Sequence, residues 1–242
     1  MGWYKQWFGT PYYALLYGHR DELDAHAWVE AIIGKWELAP GSRVLDMACG
    51  RGRHAKWFHE GGMNVTGIDI SAEAIREGIM ANPGVELLVH DMREPLAIGQ
   101  FDAACCLFTS LGYFDSLEDD QKVFDAAFTA LRPGGRFVVD FMNSAMVLAD
   151  LIPQEHVDRQ GVKFDITRTL HEGAIIKNIT VHEAGRTEVF EEKVQALMPD
   201  QLEKMALNAG FIVEDRTDGP EISTFDPIYS KRFVLWLKRP VT

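Results

Sequence analysis

The chain predicts an α/β fold: a seven-stranded, mostly parallel sheet with helices on both faces, an N-terminal helical cap and an inserted antiparallel β meander. Three observations point there. From Ser42 onward, short apolar runs alternate with segments of helical period. The runs are apolar almost without interruption, as strands are when both sheet faces are covered. After Asn143 the period drops to two between glycine-containing turns, the mark of antiparallel strands with one face on a core.

An aromatic-rich leader, MGWYKQWFGT, precedes a helix expected over Tyr12 to Glu37, where Leu15/Leu16, His19, Leu23, Ala27 and Ile32/Ile33 recur at three-to-four spacing until LAPGS stops it. RVLDMA is the first strand, and the helix RHAKWFHEGG behind it closes on glycine. NVTGIDI is the second strand; Ser71 then caps SAEAIREGIMA, its hydroxyl accepting a first-turn N–H. VELLVHD and FDAACCLF are strands three and four, LEDDQKVFDAAFTAL is a helix stopped by RPGG, and RFVVDFM is strand five. Alternation over 162–170, 174–182 and 188–196 predicts a three-stranded meander turning at HEGA and EAGR. Pro199 suits the first turn of PDQLEKMALNAGF and Gly210 its C-terminal cap, and FIVED and KRFVLWLK close the sheet. The expected organisation is a cap over 1–38, a core over 39–145 and 197–242, and the insertion over 146–196 as a lid or dimer contact.

With 242 residues, 47% of them hydrophobic, the chain can fill a sizeable core. No window approaches the roughly 18 apolar residues of a membrane span, and the N-terminus lacks a basic segment followed by an apolar run, so a cytoplasmic protein without a membrane partner is expected. Cys49, Cys105 and Cys106 form no disulfide framework or zinc-type spacing, and no metal is expected. A net charge of -12 gives no field for collecting phosphates and argues against a nucleic-acid partner.

The stretch VLDMACGRGRHAKWF carries the chemistry. Gly50-Arg51-Gly52-Arg53-His54-Ala55 satisfies the glycine pattern that cradles a dinucleotide pyrophosphate between strand and helix. Asp46 stands just upstream, where its charge would repel a pyrophosphate and favour the ammonium and sulfonium of S-adenosylmethionine. Asp69, ending strand two, could bind a ribose in either cofactor.

Taken in order, these segments resemble the class I, Rossmann-like S-adenosylmethionine-dependent methyltransferases of small-molecule type. LDMACGRGRH resembles their glycine motif, with Ala48 at the first glycine position. Asp69, followed by Ile70, matches the acid that holds both ribose hydroxyls, and Asp91-Met92 matches the pair that reads the adenine amino group and packs its ring. FDAACCLFTSLGYF, with Phe108 and Tyr113, resembles the fourth-strand motif beside the transferred methyl, and LRPGGRFVVDF the helix-turn-strand that follows. GTPYYALLYGHRD resembles the N-terminal cap, which implies Tyr12, Tyr13 and Tyr17 near the methionine carboxylate and the sulfonium.

The cofactor implied is S-adenosylmethionine, with Asp46, Ala48, Gly50, Gly52, His54, Asp69, Ile70, Asp91, Met92, Phe108, Tyr12, Tyr13, Tyr17 and Arg20 as expected contacts. Tyr113 and His19 are the substrate-side candidates, although displacement on a sulfonium needs orientation and exclusion of water more than any one obligatory residue. Phe164, Arg168, His171, Lys177 and His182 of the insertion are further substrate-side positions. The expected activity is methyl transfer to an oxygen or nitrogen of a small molecule, with a homodimer possible. Three readings stay open: a protein methyltransferase, an NAD-dependent oxidoreductase, and a cofactor-binding protein without catalysis.

Overall fold

A computed structural model describes residues 7–17 and 22–241. In place of one helix over 12–37 it has α1 (Pro11–Tyr17) and α2 (Glu22–Trp36), with 18–21 outside the described residues. The core alternates as expected through β1 (Arg43–Met47), α3 (Arg53–Glu60), β2 (Asn64–Asp69), α4 (Ala72–Ala81), β3 (Glu86–Val89), β4 (Phe101–Cys106), α5 (Leu117–Ala130) and β5 (Leu131–Met142). After α6 (Ser144–Ala149) come β6 (Gln154–Arg159), β7 (Val162–His171), β8 (Ala174–Glu183) and β9 (Arg186–Gln195), and the chain ends with α7 (Pro199–Ala209), β10 (Ile212–Thr217) and β11 (Arg232–Lys238).

The large sheet has seven strands in the order β10-β11-β5-β4-β1-β2-β3. Only β11 runs against its neighbours, pairing antiparallel with both β5 and β10. Strand order reverses between β1 and β4, and the crevice beyond the carboxyl ends of the strands at such a reversal is where open α/β sheets bind ligands.

One sheet face packs α2, α3 and α4 through Trp28, Ile32, Phe58 and Ile75, reaching Trp236 of β11. The opposite face packs α5 and α7 through Phe124 and Leu202 against Phe137 and Phe233. Side chains of this size stabilise the fold by roughly 1.5–3 kcal/mol each when fully buried. The local signals hold at the helix ends. Ser71 accepts the Ala74 N–H at 3.2 Å, and Gly210 takes φ 100°, a left-handed conformation costly for a residue with a side chain. RPGG does not precede β5 but lies inside it: pairing with β4 jumps from Phe101↔Leu131 to Ala103↔Arg136, a bulge.

The insertion has four strands, β6-β7-β8-β9, rather than three. β6 reads QEHVDR, half charged and without an apolar face of its own, so no period betrays it; the ladder offered by β7 defines it. Phe164, Ile166, Ile179 and Val181 form the inner face of the insertion, and Trp7 and Leu16 bury themselves against it. Trp7 and Phe8 of the aromatic leader therefore pack with the insertion's core and not with that of the parallel sheet. Among the described residues no helix is long and apolar enough to cross a membrane.

Candidate active site

A cavity of about 350 Å³ opens beyond the carboxyl ends of β1 to β4. Its floor begins at the β1–α3 turn, where Ala48 (φ 59°) and Gly50 (φ 57°) adopt left-handed backbone. Nothing lies within 4 Å of where a Gly50 Cβ would stand, so the turn presents bare backbone to the cavity. Asp69 fixes that turn. One of its oxygens accepts the Gly50 N–H at 2.9 Å and the other accepts the Ser71 N–H at 2.8 Å. A carboxylate has about four acceptor positions, so these two donors leave capacity toward the cavity. Burial raises the Asp69 pKa, against the pull of these backbone donors.

His54 lines the cavity, its ring 5.1 Å from that of Phe108. Its Nε2 is buried without a hydrogen-bond partner, and burial with the Arg53 charge lowers its pKa to about 3, leaving a neutral imidazole. Such an orphaned atom on a cavity wall is an unfilled polar contact. Ile70, Met92 and Phe108 supply apolar wall, and Tyr113 stands across from the cap. The roof comes from the N-terminus: Phe8 meets Tyr113 edge-on at 5.3 Å, Tyr13 packs on Phe8 at 5.0 Å, and Tyr17 follows at 4.9 Å from Tyr13.

The Phe108 loop is held in an unfavourable shape by residues the sequence did not single out. Phe108 and Thr109 both have φ 58°, uncommon for side-chain-bearing residues. Asp140, 1% exposed, accepts the Phe108 N–H at 2.8 Å and pairs with Arg232, which also donates to the Thr109 hydroxyl at 3.0 Å. Farther along, buried Asp120 accepts the Gly112 N–H at 2.8 Å, and burial raises its pKa to about 7.

Several expected contacts lie elsewhere. Asp46 is 1% exposed and absent from the cavity wall. Alternation along β1 puts it on the side of Val44, facing the α2 and α3 layer, where it accepts the Cys105 thiol at 3.5 Å. Burial raises its pKa to about 7, so it is not the exposed anion that separated a sulfonium from a pyrophosphate in the sequence reading. Gly52 is also off the wall; it caps α3 in left-handed conformation, with Leu87 at 3.0 Å from its would-be Cβ.

Tyr12 points away from the cavity. Its hydroxyl donates to Glu183 at 2.8 Å, and that hydrogen bond raises its pKa to about 12. Asp91 lines the cavity, but its two oxygens take four hydrogen bonds from the Arg93 backbone and guanidinium at 2.6 to 3.2 Å, so its acceptor positions are engaged. Those bonds lower its pKa despite partial burial. His19 and Arg20 lie outside the described residues.

Comparison with known proteins places this pocket in context. Residues 44–135 match a family model described as "Methyltransferase domain". The chain is 33% identical over 144 residues to YqeM of Bacillus subtilis (strain 168), covering 55% of this chain and 56% of that protein. It is 29% identical over 185 residues to the ubiquinone biosynthesis O-methyltransferase of Psychrobacter arcticus, covering 72% and 61%. The chain thus spans a little over half the length of these curated relatives. A crystal structure of an S-adenosylmethionine-dependent methyltransferase from Clostridium acetobutylicum superposes with TM-score 0.81 over 95% of this chain and 96% of that one; at 20% identity the likeness is one of fold.

Proposed function

We propose that the chain is a class I, Rossmann-like methyltransferase and that it transfers a methyl group from S-adenosylmethionine to an oxygen or nitrogen atom of a small molecule. The observation that carries this reading is a cavity that lies over the ends of β1 to β3 and reaches across the reversal only as far as the segment after β4. Its wall comes from the ends of β1 to β4 and from the cap, with no residue of β5. A dinucleotide would need the matching half across the reversal of strand order. This argument replaces the one from Asp46.

The residues present fit the cofactor. The open backbone at Gly50 admits close approach, Asp69 retains acceptor capacity for ribose hydroxyls, and the orphaned His54 Nε2 suits the amino-acid end. Ile70 and Met92 would pack an adenine ring. Bound there, S-adenosylmethionine supplies an activated methyl group on a sulfonium. This chain's own contribution is then to orient and to exclude water: Phe8, Tyr13 and Tyr17 close the cavity, and their ring faces attract a cation. Tyr113, between cap and core loop, is placed to contact the acceptor. The insertion acts as a lid support more readily than as a dimer surface, because its apolar inner face is already covered by Trp7 and Leu16 of the same chain. The net charge of -12 supports a small-molecule acceptor over a nucleic acid.

Calorimetry tests the proposal. The wild-type chain should bind S-adenosylmethionine and S-adenosylhomocysteine but not NADH. Asp69→Ala should weaken binding at least about tenfold, since hydrogen bonds to a charged group are worth roughly 1.5–3 kcal/mol. Binding of NADH, or equal affinity in a folded Asp69→Ala chain, would overturn it.

A further inference from the structure

Glu192 puts a charge where β9 turns an apolar row inward. Alternation along the strand sets it in line with Phe190 and Val194, on the inner face of the insertion that also carries Ile179 and Val181, and the residue is 8% exposed. A carboxylate so placed loses its hydration, a cost that only strong hydrogen bonds offset. Three donors supply them: Trp7 Nε1–H reaches one oxygen at 2.6 Å, the Tyr17 hydroxyl is shared between the two oxygens at 3.0 and 2.8 Å, and Lys177, the directly opposite residue on β8, stands at 3.3 Å. Lys177 also donates to the Tyr17 hydroxyl oxygen.

Trp7 and Tyr17 are the two ends of the cap segment 7–17. Between them the chain is stiff. The Thr10 N–H and hydroxyl both donate to the Trp7 carbonyl, at 3.0 and 2.8 Å, and the Thr10 hydroxyl oxygen accepts the Tyr13 N–H at 3.1 Å, capping α1. Phe8, Tyr13 and Tyr17 of this segment line the cofactor cavity, with Tyr13 wedged edge-on at 5.7 Å from Trp7 and packed 5.0 Å from Phe8 and 4.9 Å from Tyr17. Glu192 itself is not on that wall. One buried carboxylate thus holds both ends of the cap from behind, and the cap carries its rings over the cavity.

We infer that Glu192 is a positioning residue for the cofactor site: it sets how the cap lies over the cavity, and with it the affinity for the cofactor, without touching the cofactor. This inference rests on the methyltransferase reading. A cap that leaves the cavity part of the time binds the cofactor only in its docked fraction, so loosening the cap lowers the apparent affinity by that fraction. Lys177 compensates the buried charge and leaves the carboxylate oxygens to Trp7 and Tyr17 as well.

Replacing the ion pair as a unit separates positioning from stability. Glu192→Leu alone leaves the Lys177 ammonium buried without its carboxylate and should unfold at lower urea than wild type. Lys177→Met combined with Glu192→Leu removes both charges, and apolar residues in place of a buried ion pair should recover most of that loss. Neither chain offers Trp7 and Tyr17 their acceptor. In calorimetry with S-adenosylhomocysteine the double variant should therefore bind roughly fivefold or more weakly than wild type, although its stability has returned. Tyr17→Phe keeps the ring on the wall and loses the hydroxyl, and should weaken binding in the same direction by roughly threefold. A stable double variant that binds S-adenosylhomocysteine as tightly as wild type overturns the inference, since Glu192 would then contribute to stability alone. Should the double variant not fold, Tyr17→Phe decides, and an unchanged affinity there overturns the inference. The wild-type chain keeps the two readings apart: binding that the variants share undiminished sinks only the role of Glu192, whereas no binding by wild type sinks the methyltransferase reading itself.

Discussion

Asp46→Asn should remove a pH-dependent loss of stability. The carboxyl is 1% exposed, accepts a weak thiol donor, and has a second oxygen buried without a partner. Burial raises its pKa from 3.8 to about 7. The folded chain therefore holds this proton more tightly than the unfolded chain. The group's contribution is fully present below the unfolded value and is lost as pH rises through the folded one. At about 1.36 kcal/mol per unit the whole shift is worth about 4 kcal/mol, most of which falls between about pH 5 and about pH 8.

Asparagine keeps the shape and cannot titrate, so its own packing cost is the same at every pH. Urea unfolding of both chains at the two ends of that window isolates the effect, because every other titrating group cancels in the difference. The variant should gain a few kcal/mol, on the order of 3, relative to wild type on going from the lower to the higher pH. A difference that stays constant would refute the argument and return Asp46 to a solvated, ionised position near the cofactor.

Gly50→Val should abolish binding of S-adenosylhomocysteine with circular dichroism retained: no protein atom crowds the new Cβ, but it enters the cavity floor, and at φ 57° a β-branched residue is strained. Arg232→Met leaves Asp140 buried without its cation and should cost about 3 kcal/mol in urea unfolding, with a parallel fall in S-adenosylhomocysteine affinity as the Phe108 loop relaxes; lost stability at unchanged affinity would show that the loop does not depend on the pair. Tyr12→Phe should leave cofactor affinity unchanged by calorimetry, because that hydroxyl serves Glu183 and Glu188 outside the cavity.

The sequence by itself determined what depends on near neighbours along the chain. Apolar runs alternating with helical period established the parallel sheet, Ser71 and Gly210 marked helix ends, and the Gly50 turn followed by Asp69 marked the crevice at the end of β1 and β2. These features are repeats and caps whose geometry is settled within a few residues. The tertiary structure alone decided which polar groups meet. Glu192 finds Trp7 and Tyr17 across 185 and 175 residues, and Arg232 finds Asp140 across 92, and no local pattern encodes such partners. It also decided which face each side chain takes: Asp46 sits two residues from the turn but alternates into the helix layer, Asp91 is saturated by Arg93 two residues on, and Tyr12 leaves the pocket that Tyr13 and Tyr17 line. The reason is energetic as well as geometric. A buried charge or polar group must be paired, and its partner is whichever donor the completed topology brings within reach.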